Sequence, residues 1–222
     1  MANHWYWYVI SFGLVGGYGC WYLRNYRRRT AALAADAATR GWHYTERPPS
    51  LLGRCHGVPF GTGRRPRAGH EVSGTYRDLP FSAFEFSEVI GDSDAKSSDR
   101  PERRFLQVFG VRLAQRVPDL TVMPRGSAAQ LTLKLGMSTG ATGNPDFDRH
   151  WAVSCDDPAF IATVLTPDLL SWFLGAPERQ RPFRLRSDEI CCWQEGRLTF
   201  DDVEPALTHL HEVLARTRLG RA

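Results

Sequence analysis

The chain has 222 residues, 42% of them hydrophobic, with twelve Phe and seven Trp, which supplies a real core and excludes a disordered tail. Its formal net charge of +4 is unevenly spread: residues 24–67 carry ten Arg against only Asp36 and Glu46, whereas residues 68–222 are net acidic. No nucleic-acid recognition motif accompanies the basic stretch, so nucleic acid is not an expected partner.

Residues 5–23, WYWYVISFGLVGGYGCWYL, contain no charged side chain. A helix of that length just crosses a hydrocarbon core. Trp5, Tyr6, Trp7 and Tyr8 at one end, with Trp21 and Tyr22 at the other, sit where interfacial aromatic belts form. Arg24, Arg27, Arg28 and Arg29 follow at once, and no Lys or Arg precedes the run. Cytoplasmic flanks collect Lys and Arg, so the expected placement is a single-pass anchor in the cell membrane, N-terminus outside and C-terminal domain cytoplasmic. A cleaved signal peptide and a lipoprotein signal ending at Cys20 are the rivals, and both lack a basic segment ahead of the apolar run. Gly13 and Gly17 make a G-x-x-x-G pair, the expected site of transmembrane self-association as a homodimer.

Thr30–Arg40 is alanine-rich and helix-favouring, with Gly41 placed to stop it, so one helix over residues 5–40 is expected. An irregular lead-in follows, using Trp42, Tyr44, Leu51, Leu52 and Phe60 as anchors. The expected organisation is residues 1–29 as anchor and arginine collar, 30–68 as helical stalk and lead-in, and 69–222 as a cytoplasmic α+β domain. HEVSGTY and LPFSAFEFSEV flank Arg77-Asp78 as a hairpin, with Phe81, Ala83 or Phe84, and Phe86 competing for the buried face. Residues 91–103 read as a polar loop, RFLQVFGVRLA as a third strand and DLTVMP as a fourth. A long connection holds at most a short strand at Leu131–Leu135, and FDRHWAVSC alternates as a fifth strand. Asp157-Pro158 and Thr166-Pro167 start two short helices, the second ending at Gly175. FRLRSDEICCWQ and RLTF predict one or two hairpins turned at Glu195-Gly196. The last helix is capped by Asp201 or Asp202 and aligns Val203, Ala206, Leu207, Leu210, Val213, Leu214 and Thr217 on one face. The fold class is α+β, an antiparallel sheet with helices packed on one side.

Five cysteines, at 20, 55, 155, 191 and 192, show neither C-x-x-C nor Cys/His ligand spacing, so no catalytic, cofactor-binding or metal-ligating residue is assigned and no cofactor is expected. Cys191 and Cys192 are strand neighbours pointing to opposite faces. Cys155 and His150 could be read as nucleophile and base, but strand alternation sets them on opposite sides. His209 and His211 stand two apart on a helix and cannot share a metal. Asp146, Asp148, Asp156 and Asp157 lack the ligand pattern of a calcium loop and read as caps and turns. Gly61-Thr62-Gly63-Arg64-Arg65-Pro66-Arg67 joins flexible backbone to guanidinium groups. Each arginine beside an anionic leaflet is worth ~1 kcal/mol. Arg24, Arg27, Arg28, Arg29, Arg64, Arg65 and Arg67 are therefore the expected contacts with anionic membrane lipids.

Gly41-Trp42-His43-Tyr44, Gly57-Val58-Pro59-Phe60, Pro80–Phe86, Phe147–Val153, Leu165–Leu170 and Glu195-Gly196-Arg197-Leu198 together resemble a widespread, functionally uncharacterised group of actinobacterial single-pass membrane-anchored proteins. The resemblance covers most of the chain beyond Gly41 and implies no activity, substrate or catalytic residue. The element order helix, three strands, helix, two strands, helix is also similar to type III secretion chaperone-like domains, which implies protein binding. The expected function is a membrane-tethered protein-interaction or scaffolding module with an unidentified protein partner. Two alternatives stand beside it: a membrane-bound hydrolase using Cys155 or a carboxylate pair, and an exported or surface protein with Cys191 or Cys55 oxidised.

Overall fold

The computed structural model describes residues 5–49, 51–57, 59–61, 63–91, 101–126, 140–176 and 180–219, with side chains from residue 17 onward. Helix α1 (Trp5–Thr39) leads through β1 (His43–Thr45) and a 3-10 turn at Leu51–Arg54 into β2 (Arg64–Tyr76), β3 (Leu79–Ile90) and β4 (Glu102–Pro124). Then come α2 (Pro145–His150), β5 (Trp151–Cys155), α3 (Pro158–Val164), α4 (Pro167–Gly175), β6 (Phe183–Glu195), a 3-10 turn at Phe200–Asp202 and α5 (Val203–Arg216). The strands form one six-stranded antiparallel sheet along β1–β2–β3–β4–β5, with β6 paired to β4.

α1 is one unbroken helix of 35 residues, about 52 Å at 1.5 Å per residue. It ends as the alanine-rich stretch and Gly41 dictate. The Trp42 N–H donates to the Ala37 carbonyl (2.9 Å) and the Gly41 N–H to that of Ala38 (3.1 Å). Gly41 takes φ +69°, the left-handed turn that closes such a cap. Among the described residues no single helix is long and apolar enough to cross a membrane. α3 and α4 pass that test only as a pair bent by 63°, and their Phe160, Val164, Leu169 and Phe173 are buried in the core. The glycines and interfacial aromatics of residues 5–23 dilute the aliphatic content that marks a span, so the fold is α+β without a demonstrated transmembrane element.

Alternation along the strands buries both faces of the sheet. On one face Phe81, Ala83, Phe109, Val122, Ile190 and Cys192 join Phe160, Leu169, Phe173, Leu207 and Leu210 of the helices. On the other, Phe84, Phe86, Leu106, Val108 and Trp193 lie under Leu51 and Phe60 of the lead-in. The competition among Phe81, Phe84 and Phe86 therefore resolves without a loser. The stretch 30–68 belongs to this body: Leu33, Ala37, Leu51 and Phe60 are all buried in it. Arg77 and Asp78 both take positive φ, 47° and 67°, as the two-residue turn of a twisted hairpin requires.

Four expectations are corrected. RFLQVFGVRLA and DLTVMP are one strand, β4, because register shifts against β6 between Arg112 and Val117 and again before Leu120 absorb the segment around Pro118. FDRHWAVSC is a strand only from Trp151. Asn144 accepts from the N–H groups of Asp146 and Phe147, Pro145 opens the turn, and residues 145–150 are helix α2. No strand returns after Glu195. The Leu198 N–H donates to Glu85 (3.1 Å) and the Thr199 N–H to the Gln107 side chain (3.3 Å), so side chains take the bonds a partner strand would. Asp202 precedes α5 without a side-chain cap, since its carboxylate accepts from Gln107 and Thr199 instead. The short strand at Leu131–Leu135 and most of the loop 91–103 lie outside the described residues.

Candidate functional site

The C-terminal half of α1 docks on the sheet through residues three, four and seven apart. Tyr26 donates to Glu46 (2.8 Å), Arg29 to the Glu85 carboxylate (2.5 Å) and the Leu198 carbonyl (3.0 Å), while Leu33 and Ala37 enter the core. The Glu85 side chain is 9% exposed and already holds the Leu198 N–H, so Arg29 closes a socket that would otherwise bury a lone carboxylate. Beside it His70, itself buried, lies 2.7 Å through Nδ1 from the Tyr44 hydroxyl, and its backbone N–H donates to the Glu46 carbonyl. Burial pushes the His70 imidazole below its ordinary pKa. Past the socket, Trp42 caps the helix end by packing edge-to-face with Phe81, stacking on Phe200 and covering Gly74, where a Cβ would meet the indole at 2.6 Å.

The stretch just before the docked half is bare. Tyr18, Trp21, Tyr22 and Leu23 are 50–67% exposed, and among the described residues Leu52, at 47%, is the one other large hydrophobic side chain left exposed. Arg24, Arg27 and Arg28 follow, all exposed. The seven arginines grouped by sequence therefore separate. Arg29 turns into the domain. Arg64 donates to the Gly91 carbonyl (3.3 Å), and Arg65 and Arg67 stand exposed at the start of β2. The glycine segment before them is pinned, because the Gly63 N–H donates to the buried Glu88 carboxylate (2.9 Å), which also takes Arg104 (2.5 Å). A Cβ on Gly63 would come within 2.6 Å of the Val89 carbonyl. A Cβ added at Gly17 would meet nothing within 4 Å among the described residues, and the side chains flanking Gly13 lie outside the described set.

The remaining candidates do not converge. All five cysteines are free. Burial raises the Cys55 and Cys192 thiols to about 12 and lifts those of Cys155 and Cys191 as well, which disfavours a thiolate. The Cys155 thiol bonds around Asp157, whereas the His150 Nδ1 faces the Asp146 carbonyl, so they serve different elements. Asp157 caps α3, Asp148 holds the Thr142 N–H and hydroxyl, and among the described residues no group of three His, Cys, Asp or Glu is arranged for a metal. His209 is buried against Trp172 and its pKa is pushed down to about 4 by that burial, while His211 packs separately on Tyr76. A small depression lined by Arg54, Arg184, Arg186 and Glu189 over Phe84 and Val108 is charge-balanced: Arg54 pairs with Glu71 and Glu189, and Arg184 and Arg186 share Asp119.

Sequence reasoning missed Glu85, Glu46 and Arg47. The signal was present in the helix: Tyr26, Arg29, Thr30, Leu33 and Ala37 lie on one stripe, which marks a docked helix rather than a free stalk.

The architecture is an α+β domain carried on a long N-terminal helix that docks by its second half. No family model matches the chain, and no curated protein matches it. Among solved structures it is similar to the mycobacterial trehalose monomycolate transport factor A, TtfA, with a TM-score of 0.55 and 12% identity over 85% of this chain and 95% of that one. The likeness is one of fold. It agrees with the actinobacterial resemblance in lineage, and no comparison supports the secretion-chaperone likeness.

Proposed function

We propose that the chain is a membrane-tethered interaction module: residues 5–23 anchor it in the bilayer, and the α+β domain on the cytoplasmic side engages a protein partner. The observation that supports this is the bare segment of α1. Four large apolar or aromatic side chains are presented to the outside on one short stretch, and exposed arginines follow within a turn. In water such a stripe is unfavourable, and in a bilayer it is the interfacial belt with its cationic flank. The absence of convergent polar groups around Cys155 and His150 favours this module over a hydrolase. Likeness of fold carries no activity, so the transport role named for TtfA only directs the search for a partner toward proteins that move lipids.

Mild-detergent co-purification of the tagged full-length chain from its own cells tests the proposal. The replaced segment must stop at residue 23, since Tyr26 onward holds the domain. A stoichiometric partner kept when residues 5–23 are exchanged for another span, and lost when residues 42–222 are deleted, is the expected result. Recovery of the chain alone from alkali-washed membranes sinks the adaptor role, and release from those membranes sinks the anchor. Self-association through Gly13 and Gly17 is tested by Gly13→Leu, which is expected to weaken dimerisation measured in a bilayer.

A further inference from the structure

The register of the sheet sets the direction in which α1 leaves the domain. Its end lies at Trp42 over Gly74 and Phe81, whereas Arg29 meets Glu85, which pairs with Gly69 four residues farther along β3. Continuing the same way, the sheet runs out at Arg67 opposite Ser87 and Arg64 opposite Val89. Arg24, Arg27 and Arg28 lie one to five residues before Arg29, roughly 2–8 Å farther along the helix. Arg65 and Arg67 lie two to four residues beyond Gly69, roughly 7–13 Å along the strand. Two arginine groups more than thirty residues apart in sequence thus reach the same end of the molecule. Arg47, its side chain 84% exposed, stands between them beside Glu46.

Pairing distinguishes this end from the other. At the far end Arg112 pairs with Asp188, and Arg184 and Arg186 with Asp119. At the near end Arg24, Arg27, Arg28, Arg65 and Arg67 make no ion pair among the described residues, and Arg47 pairs at 3.7 Å with a Glu46 that Tyr26 also uses. Among the described residues the acidic side chains there are Glu46, Glu102 and, at the end of β6, Glu195, with Glu85 and Glu88 already paired to Arg29 and Arg104, so positive charge is in excess among them.

We infer that this end is one continuous contact surface for the anionic headgroups of the leaflet that α1 enters, made jointly by Arg24, Arg27, Arg28, Arg47, Arg65 and Arg67. The inference rests on the anchor reading above. Because the Arg29–Glu85 socket and Leu33 hold the helix to the sheet, the start of β2 is brought down with the collar, and the domain lies against the bilayer at a fixed attitude instead of hanging from a free tether. Charge complementarity identifies the occupant: a sheet of anionic lipid presents many phosphates in one plane, as the arginines are spread across one end rather than gathered round one point.

The test uses the full-length chain in vesicles of phosphatidylcholine alone or of phosphatidylcholine with phosphatidylglycerol, read by amide hydrogen exchange over residues 64–68. Slower exchange with phosphatidylglycerol, reversed by high salt and abolished in Arg65→Glu/Arg67→Glu, is expected. Arg65→Gln/Arg67→Gln, which removes charge without reversing it, is expected to lose part of the protection, and both variants keep wild-type exchange in the core strands β3 and β4. Each arginine removed is expected to weaken the anionic-lipid preference about five-fold. Identical exchange in the two lipids, with the chain inserted in both, overturns the surface and leaves the anchor standing. Equal protection from inorganic phosphate over phosphatidylcholine overturns it in favour of a free-anion site. Failure to enter either vesicle overturns anchor and surface together.

Discussion

From Tyr26 to Ala37, α1 spends its side chains on named partners; from Tyr18 to Leu23 the same helix presents larger and more aromatic side chains to nothing in the domain. Secondary structure does not separate the two halves, since both are one regular element. The difference lies in what the domain offers: a carboxylate socket at Glu85 and an apolar core that buries Leu33 and Ala37. Partner geometry thus decides which half of a uniform helix is structural and which is left for another surface.

The largest way to break that contrast is to empty the socket. Glu85→Ala leaves the Arg29 guanidinium and the Leu198 N–H without their acceptor, and is expected to cost about 3–5 kcal/mol in denaturant unfolding. A loss below ~1 kcal/mol means the helix is not held there. His209 sharpens the picture from the core side. Its folded pKa of about 4 lies below the ordinary 6.5, so the unfolded chain binds the extra proton first, and stability falls as pH drops from 6.5 toward 4. The shift corresponds to roughly 3 kcal/mol at full extent, and His209→Gln is expected to flatten that part of the pH profile relative to wild type. Leu33→Ala should cost about 2–3 kcal/mol through its lost burial. Denaturant unfolding resolves it, and an unchanged midpoint makes the stalk independent of the domain. Trp21→Ala comes last: stability within ~0.5 kcal/mol of wild type, because the ring touches no core residue, but weaker retention in alkali-washed membranes.

Much of the fold was readable because local signals and packing agree. Asp157-Pro158, Thr166-Pro167, the α5 stripe and the Arg77-Asp78 turn each state their role within a few residues. The failures arise where side chains replace backbone partners. The RLTF segment alternates like a strand, yet Glu85 and Gln107, more than ninety residues earlier, take its amides. Asn144-Pro145 outweighs the alternation of FDRHW, since a cap satisfies two N–H groups at once. For the candidate surface, the two arginine groups were visible but their meeting was not. Arg29 looks like the rest of the collar, and only the distant Glu85 removes it from that set.

One strand governs when this domain can exist at all. β4 pairs with β3 through its first half, with β5 through its last five residues, and with β6 along both. β6 begins at Phe183, so a ribosome adding roughly 5–20 residues per second exposes β4 for several seconds before its longest partner is made. During that interval β2, β3 and β4 form an open-edged sheet in which β4, at the edge, has a bare flank, the kind of template on which neighbouring nascent chains add strands. A truncation between Pro124 and Phe183 makes that interval permanent, so nonsense alleles in this window should yield aggregates rather than small soluble domains.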